Sequence, residues 1–545
     1  MIIFFTNCSS HKGSYRGIFY TDISDHFPIF YINSINKLSD IDKDFLIKRD
    51  YSEQNIDKFK NYLTNIDWLP VITVEDPQIA YARFNDIFSL GYNQCFPLKK
   101  IKLGYKNRKP WLSEGLKTSI KIKNKLFIKY KCNSTPQNEA KYKEYRNKVN
   151  SLIRKAERKH YETLLETNKN DLKKSWKILK EVINKKSSSV LPEFILSGDD
   201  KLTDKSSIAD AFNQFYTNIG PTLAKKIGNV NLNPLSYIKH SCSSSIFLDP
   251  VTESELVELI TNLKMSSPGW DNFNTKIIKS VYLLFLNPLN HIFNLSLKHG
   301  VFPDELKMAK VIPLFKTGDK CLVANYRPVS VLPVFSKLLE RIMYNRLIKY
   351  VDCNNLLYKY QFGFRKNHST VMALTTLTDK ISNAVEDGDY VMGVFLDFSK
   401  AFDTVNHCIL LDKLHLYGIR GAAHQWISSY LSNRKQCVNF DGAMSQPMSI
   451  TCGVPQGSIL GPLLFLLYIN DIVNVSDKLF PILFADDTNV FINGKCIDSM
   501  SVLMNNELCK LLLWLNANTL SLIVKKTHFI IFYSRHKKEP LRNKY

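Results

Sequence analysis

Apolar residues fall in short runs toward the C-terminal half of the chain and in spaced stripes toward the middle, and the two patterns predict different elements. Pro481-Ile482-Leu483-Phe484 and Val490-Phe491-Ile492 flank the polar stretch Ala485-Asp486-Asp487-Thr488-Asn489. This predicts a β-hairpin with both acids at its tip. Val391 to Leu396 is almost wholly apolar and predicts a buried strand, with Asp397 at its C-terminal end and the Glu386-Asp387-Gly388-Asp389 turn ahead of it. Between these acids, Cys452-Gly453-Val454-Pro455-Gln456-Gly457-Ser458 is a Gly/Pro loop leading into a helix-like run, Ile459 to Ile469. Ser501 to Leu515 reads as a helix, and Leu520–Val524 and Phe529–Tyr533 as closing strands. This order predicts α+β architecture, a βαββαβ-like antiparallel sheet backed by helices.

Helical spacing governs Ala140 to Lys186, where Val149, Leu152, Ile153 and Ala156 form one stripe and Leu172, Trp176, Leu179 and Ile183 another. Trp176 reads as a core anchor rather than a base-stacking platform. Ser187–Ser189 and Ser241–Ser245 are breaks. Thr252-Glu253-Ser254-Glu255 reads as a capping box opening a helix through Leu263. Residues 32 to about 100 mix short apolar and polar runs and read as helical connector.

Composition adds a partner class. The 545 residues suffice for several domains, and 45% are hydrophobic, so core material is ample. Net charge is +23, and residues 101–186 alone hold 25 Lys/Arg against 8 Asp/Glu. Such a block suggests a polyanion, most simply nucleic acid whose phosphates the helices track, with a solvated helical face as the alternative. The 11 cysteines form no C-x₂-C pair, which argues against a zinc knuckle or disulfide framework and for a reduced, intracellular chain. Ile459–Ile469 is too short to span a bilayer, so no membrane segment is expected, and Met1–Phe5 lacks signal-peptide flanks.

Two adjacent carboxylates repel, and holding both ionised calls for a cation; oxygen-only ligands suit Mg²⁺. With Asp397 as a third acid, the pattern points to metal-dependent phosphoryl transfer. Taken together, Leu396-Asp397-Phe398-Ser399-Lys400-Ala401-Phe402-Asp403, Gly453-Val454-Pro455-Gln456-Gly457-Ser458 and Phe484-Ala485-Asp486-Asp487 resemble the catalytic palm of reverse transcriptases, and most closely the non-LTR (LINE-type, jockey/RTE-like) retrotransposon enzymes. Val311-Ile312-Pro313-Leu314-Phe315-Lys316, Asn325-Tyr326-Arg327-Pro328-Val329-Ser330 and Gln361-Phe362-Gly363-Phe364-Arg365 are similar to the fingers motifs of that family, and Ser267-Pro268-Gly269-Trp270-Asp271 to the segment before them. The resemblance spans roughly residues 250 to 533.

It implies right-hand fingers and palm at 246–533, a basic, mainly helical connector at 32–245 and a basic tail at 534–545. It implies RNA-directed DNA polymerisation, in which deoxynucleoside triphosphates are added to a primer 3′-hydroxyl on an RNA template, with a chromosomal DNA primer or target. Asp397 and Asp486 would hold two Mg²⁺ ions (or Mn²⁺), one activating the attacking oxygen and the other neutralising the triphosphate. Asp487 is a further acid of the site, and the Phe398 carbonyl an extra ligand. Lys316 and Arg327 would face the triphosphate, a point charge and a fork; without the resemblance both read as surface charges. Gln456 and Gly457 match residues packing on the incoming nucleotide. Phe402 matches the aromatic that excludes a ribose 2′-hydroxyl, with core packing as the alternative. Lys526, in Leu520–Thr527, matches a lysine assigned to proton donation to pyrophosphate, although Ile523 stands where the family has Asn.

Thr21-Asp22-Ile23-Ser24-Asp25-His26-Phe27-Pro28-Ile29 resembles the last motif of an apurinic-endonuclease-like nuclease domain, in which Asp25 and His26 would be catalytic. Its other ligands should lie upstream of Met1, so residues 1–31 read as a remnant, and the thumb that follows the palm in the family finds no room after it. Both ends therefore look truncated. The resemblance also implies a ribonucleoprotein of cytoplasm and nucleus. A nucleic-acid-binding fragment with little activity and an RNA-dependent RNA polymerase are the competing readings.

Overall fold

The computed structural model describes residues 15–18, 29–32, 45–102, 109–183, 192, 194–198, 200–227, 232–239 and 241–537. Asp25 and His26 lie outside the described residues. The chain divides into two compact units, residues 1–50 with 97–190, and residues 51–96 with 191–545. Among the described residues, no helix is long and apolar enough to cross a membrane, and every cysteine is free.

The smaller unit holds two strand pairs, Tyr15–Ile18 with Ile29–Ile32 and Phe45–Arg49 with Leu98–Lys102, both antiparallel. Its helices are Glu114–Cys132, Pro136–Thr167 and Leu172–Val182, capped by the side chains of Ser113, Thr135 and Asp171. Their contact is narrow: Phe127, Tyr142, Val149 and Ile178 are buried. Pairs four residues apart, such as Lys143–Glu139 and Arg158–Glu162, support the exposed surface. The second predicted stripe does not face a core. Trp176 is 62% exposed, as are Leu172 and Ile183 at 76% and 62%, and Ile178 is the buried residue of that helix. An amphipathic spacing fixes which residues share a face, not whether a partner covers it.

In the larger unit the predicted connector does not form one body. Helices Glu53–Thr64 and Pro77–Cys95 belong to this unit's core. Tyr81, Phe84, Phe88 and Tyr92 recur at helical spacing, and Phe84 and Phe88 pack edge-on against Phe285 and Phe335. Trp68 Nε1 donates to Leu284 O. The Thr252 cap forms as expected, its hydroxyl accepting from Glu255 N; the Glu255 carboxylate turns instead to Arg346, making a two-pronged ion pair.

Two sheets carry the larger unit's chemistry. In the first, strands run Phe480–Phe484, Asp487–Gly494, Tyr390–Leu396 and His528–Phe532, each antiparallel to its neighbour. The helix between hairpin and last strand spans Ile497–Ala517, longer than its apolar stripe suggests. Leu520–Val524 is not a strand: it makes a single bridge, Leu522 to Phe398, then a 3₁₀ turn over Val524–Lys526. In the second sheet, Lys435–Phe440 lies parallel to Met308–Phe315, which pairs antiparallel with Tyr326–Val331. Helix Lys205–Ile227 covers it: Phe212 packs on Tyr326 and Phe440, and the Asn213 amide bonds both Gln436 and Gln446 carbonyls.

Between helix His407–Leu416 and the turn Asn470–Asn474 a charge pair is sealed in the core. Lys413 Nζ lies 2.6 Å from Asp471 Oδ1 and 2.8 Å from Tyr468 O, with side-chain exposures of 0% and 1% for the pair. Burial pushes the Lys413 ammonium down and the Asp471 carboxyl up, each partly restored by the other. Removing one partner strands the other. Lys413→Met should cost about 3–5 kcal/mol in denaturant unfolding, and Lys413→Met with Asp471→Leu should recover most of it. A single-variant loss below about 1 kcal/mol would remove this pair's structural role.

Candidate active site

The antiparallel register pairs Leu396 with Thr488. One position further out stand Asp397 and Asp487, at the same end of adjacent strands, roughly 5 Å apart in backbone terms. Phe484 pairs with Asp487, so Ala485 and Asp486 alone form the turn and Asp487 opens the return strand. Ala485 takes φ +58°, a conformation that this two-residue turn demands and that costs a residue with a Cβ about 1 kcal/mol. The turn is braced from outside. Gln361, buried, accepts through Oε1 from Ala485 N (3.0 Å) and Gly363 N (2.9 Å). Any Cβ on Gly363 would stand 2.1 Å from Ala485 N, so backbone meets backbone there.

The acids repel one another. Asp487 is held above the usual carboxylate range by burial first, then by Asp486 and Asp397. Cations converge on the same place. Lys526 Nζ lies 2.8 Å from Asp397 Oδ2, delivered by the 3₁₀ turn that follows Ile523 N donating to Asp397 O. Lys316, just past strand Met308–Phe315, is lowered by lost solvation and by Arg327 and Lys526, while Asp397 and Asp486 pull it back up. Arg327 lies opposite Leu314 on the neighbouring strand. Lys400, at φ +50°, is lowered by lost solvation, raised by Asp403 and lowered by Lys316, Arg327 and Lys526. Sequence reasoning missed Lys400; its place in the Asp397 segment was visible, its inward turn was not. Among the described residues, no three His, Cys, Asp or Glu side chains are grouped closely enough to hold a metal ion as they stand.

The Gly/Pro loop sits beside these groups. Gly453, at φ +83°, would press a Cβ to 2.9 Å from Asp403 Cα, and Val454 N donates to Phe402 O. Gln456 O accepts from Ser330 N of the second sheet, and Gln456 Nε2 donates to Asp403 Oδ1 at 2.8 Å. A Cβ on Gly457 would meet Ser330 O at 2.5 Å. The helix that follows, Gly461–Ile469, has its entrance tied by buried Glu340, whose Oε2 accepts from Ile459 N and Leu460 N. Phe402 stacks on Phe465 with ring centres 4.5 Å apart and meets Phe364 edge-on, yet remains partly exposed. Phe398 is buried and bridges to Leu522.

Residues 315–542 match the reverse transcriptase (RNA-dependent DNA polymerase) family. A probable RNA-directed DNA polymerase from transposon BS of Drosophila melanogaster is 32% identical over 298 residues, which is 52% of this chain and 32% of that protein. The RNA-directed DNA polymerase from mobile element jockey of the same fly is 35% identical over 277 residues, 48% of this chain and 29% of the relative. A Pol polyprotein from a type-1 R2 element of Popillia japonica is 28% identical over 251 residues, 44% of this chain and 34% of the relative. The match thus spans about a third of the length of these curated relatives. Residues 315–542 are thus similar to reverse transcriptases, and these relatives include RNA-directed DNA polymerases of mobile elements.

Proposed function

We propose that this chain is an RNA-directed DNA polymerase, adding deoxynucleotides to a primer 3′-hydroxyl on an RNA template by two-metal phosphoryl transfer. The observation that carries the reading is the placement of Asp397, Asp486 and Asp487 at one sheet edge, with Lys316 and Lys526 close enough to act on their charge. The sheet of Asp397 is the palm, and the Met308–Val331 strand pair belongs to the fingers.

The donor set fits a hard divalent cation, Mg²⁺ or Mn²⁺: it is all carboxylate and carbonyl oxygen, and its acids crowd one another. The Lys526 ammonium is the cation on Asp397 in the structure as it stands. Asp397, Asp486 and the Phe398 carbonyl would hold the metals, with Asp487 as the neighbouring acid. When bound, such ions lower the barrier by activating the primer oxygen and neutralising charge on the triphosphate. Lys316 and Arg327 bind the triphosphate oxygens, and Arg327 can do so through two parallel hydrogen bonds. Lys526, released from Asp397, would pass a proton to the leaving pyrophosphate. Gln456 and Gly457 form the floor under the nucleotide. Phe402, braced by Phe465, sets the wall against a 2′-hydroxyl. The basic helices of the smaller unit supply phosphate contacts to RNA that weaken as salt rises.

Asp486→Ala should cut primer extension on an RNA template by at least about a hundredfold while RNA affinity stays within about threefold. Extension at the wild-type rate would overturn the assignment. Phe402→Ala should raise ribonucleotide incorporation relative to deoxynucleotide by about tenfold or more, read from single-nucleotide addition. Unchanged sugar selection would leave the ring a packing residue only.

A further inference from the structure

We infer that Asp403 is a positioning residue for nucleotide selection: its carboxylate fixes the amide of Gln456 with nitrogen toward Asp403, leaving Oε1 as the acceptor offered to the incoming nucleotide. The inference deepens the polymerase reading and rests on it. A glutamine amide presents a donor at one end and an acceptor at the other, and the two orientations fill nearly the same volume. Its neighbours alone choose between them. Asp403 Oδ1 stands 2.8 Å from Gln456 Nε2. An ionised carboxylate accepts only, so the reverse orientation would set oxygen against oxygen.

The carboxylate has little freedom to follow a rotating amide. Asp403 N donates to Lys400 O, and Asp403 O accepts from Cys452 Sγ. Gly220, from helix Lys205–Ile227, approaches so closely that a Cβ would lie 2.4 Å from Asp403 O, and Gly453 crowds Asp403 Cα from the other side. Burial pushes the Asp403 carboxyl up to about 6, with the Gln456 bond and the Lys400 charge holding it down, so above that pH it is an acceptor. The backbone of Gln456 is pinned as well, through Ser330 N. Among the described residues, no protein donor is bonded to Gln456 Oε1. A deoxynucleotide carries one sugar hydroxyl, the 3′-hydroxyl, and that is the donor this acceptor suits.

The test compares Asp403→Asn and Asp403→Ala with wild type in steady-state single-nucleotide addition, using a deoxynucleotide and its 3′-deoxy (dideoxy) analogue, after confirming by thermal unfolding that each variant is folded. Asparagine can turn either its oxygen or its nitrogen to the Gln456 amide and so no longer enforces one orientation; alanine offers neither and frees the amide to turn. The expected result is a KM for the deoxynucleotide raised about tenfold for Ala and several-fold for Asn, kcat largely kept, and a KM for the dideoxy analogue unchanged within about twofold. Equal losses on both nucleotides, or a loss confined to kcat, would overturn the assignment. If Asn does not fold, the Ala variant carries the same comparison. Wild-type extension with no variant effect overturns the Asp403 role alone, whereas a wild type that extends no primer overturns the polymerase reading and this inference with it.

Discussion

The site depends on one strand register. Pairing Leu396 with Thr488 puts Asp397 level with Asp487, and a slip by one residue would turn alternate side chains to the other face of the sheet. Because apolar Val391, Met392, Val394 and Leu396 are buried on this strand, and Val490 and Ile492 on its neighbour, the core fixes the register that the acids need. The cost is like-charge crowding at the strand ends, offset by cations from two separate segments: Lys316 beside the second sheet and Lys526 in its turn. Hydrophobic packing thereby holds in place an electrostatic arrangement that would not assemble itself.

Around this edge, buried polar groups replace side-chain bulk as the means of placement. Gln361 holds the hairpin turn, Glu340 the entrance of the Gly461–Ile469 helix and Asn213 the carbonyls of the second sheet. Each satisfies backbone groups that would otherwise be orphaned away from water, so each fixes one segment against another at a defined distance. Glycines complete the pattern where two backbones touch, at Gly363 against Ala485 and at Gly453 against Asp403.

The strands of this sheet were legible because their signals are local: an apolar run ending in Asp397, and two apolar runs about a polar turn. The capping role of Thr252 and the helix after Gly461 were legible for the same reason. Other features depend on distant partners. Nothing near Trp176 in the sequence says whether a second surface covers it, and it is exposed. The stretch Leu520–Val524 has strand-like residues, but only Leu522 finds a bridge, and the chain coils to carry Lys526 onto Asp397. The helix Pro77–Cys95 reads as a connector until Phe285 and Phe335, some two hundred residues away, are known to be its neighbours. Of the site, the acids and the loop glycines were readable by residue type and order; Lys400, Gln361 and Glu340 were not, because their roles arise from side chains that turn inward.

The larger unit is discontinuous along the polypeptide, entered at residue 51, left at 96 and resumed at 191. The Trp68 indole bonds a carbonyl 216 positions later. On a ribosome that makes protein from the N-terminus, an aromatic helical pair must therefore wait, uncovered, while an entire basic module is synthesised. Loop closure over such a span slows assembly more than it weakens the finished fold. The nascent chain is thus most exposed to aggregation before the two sheets of the larger unit exist.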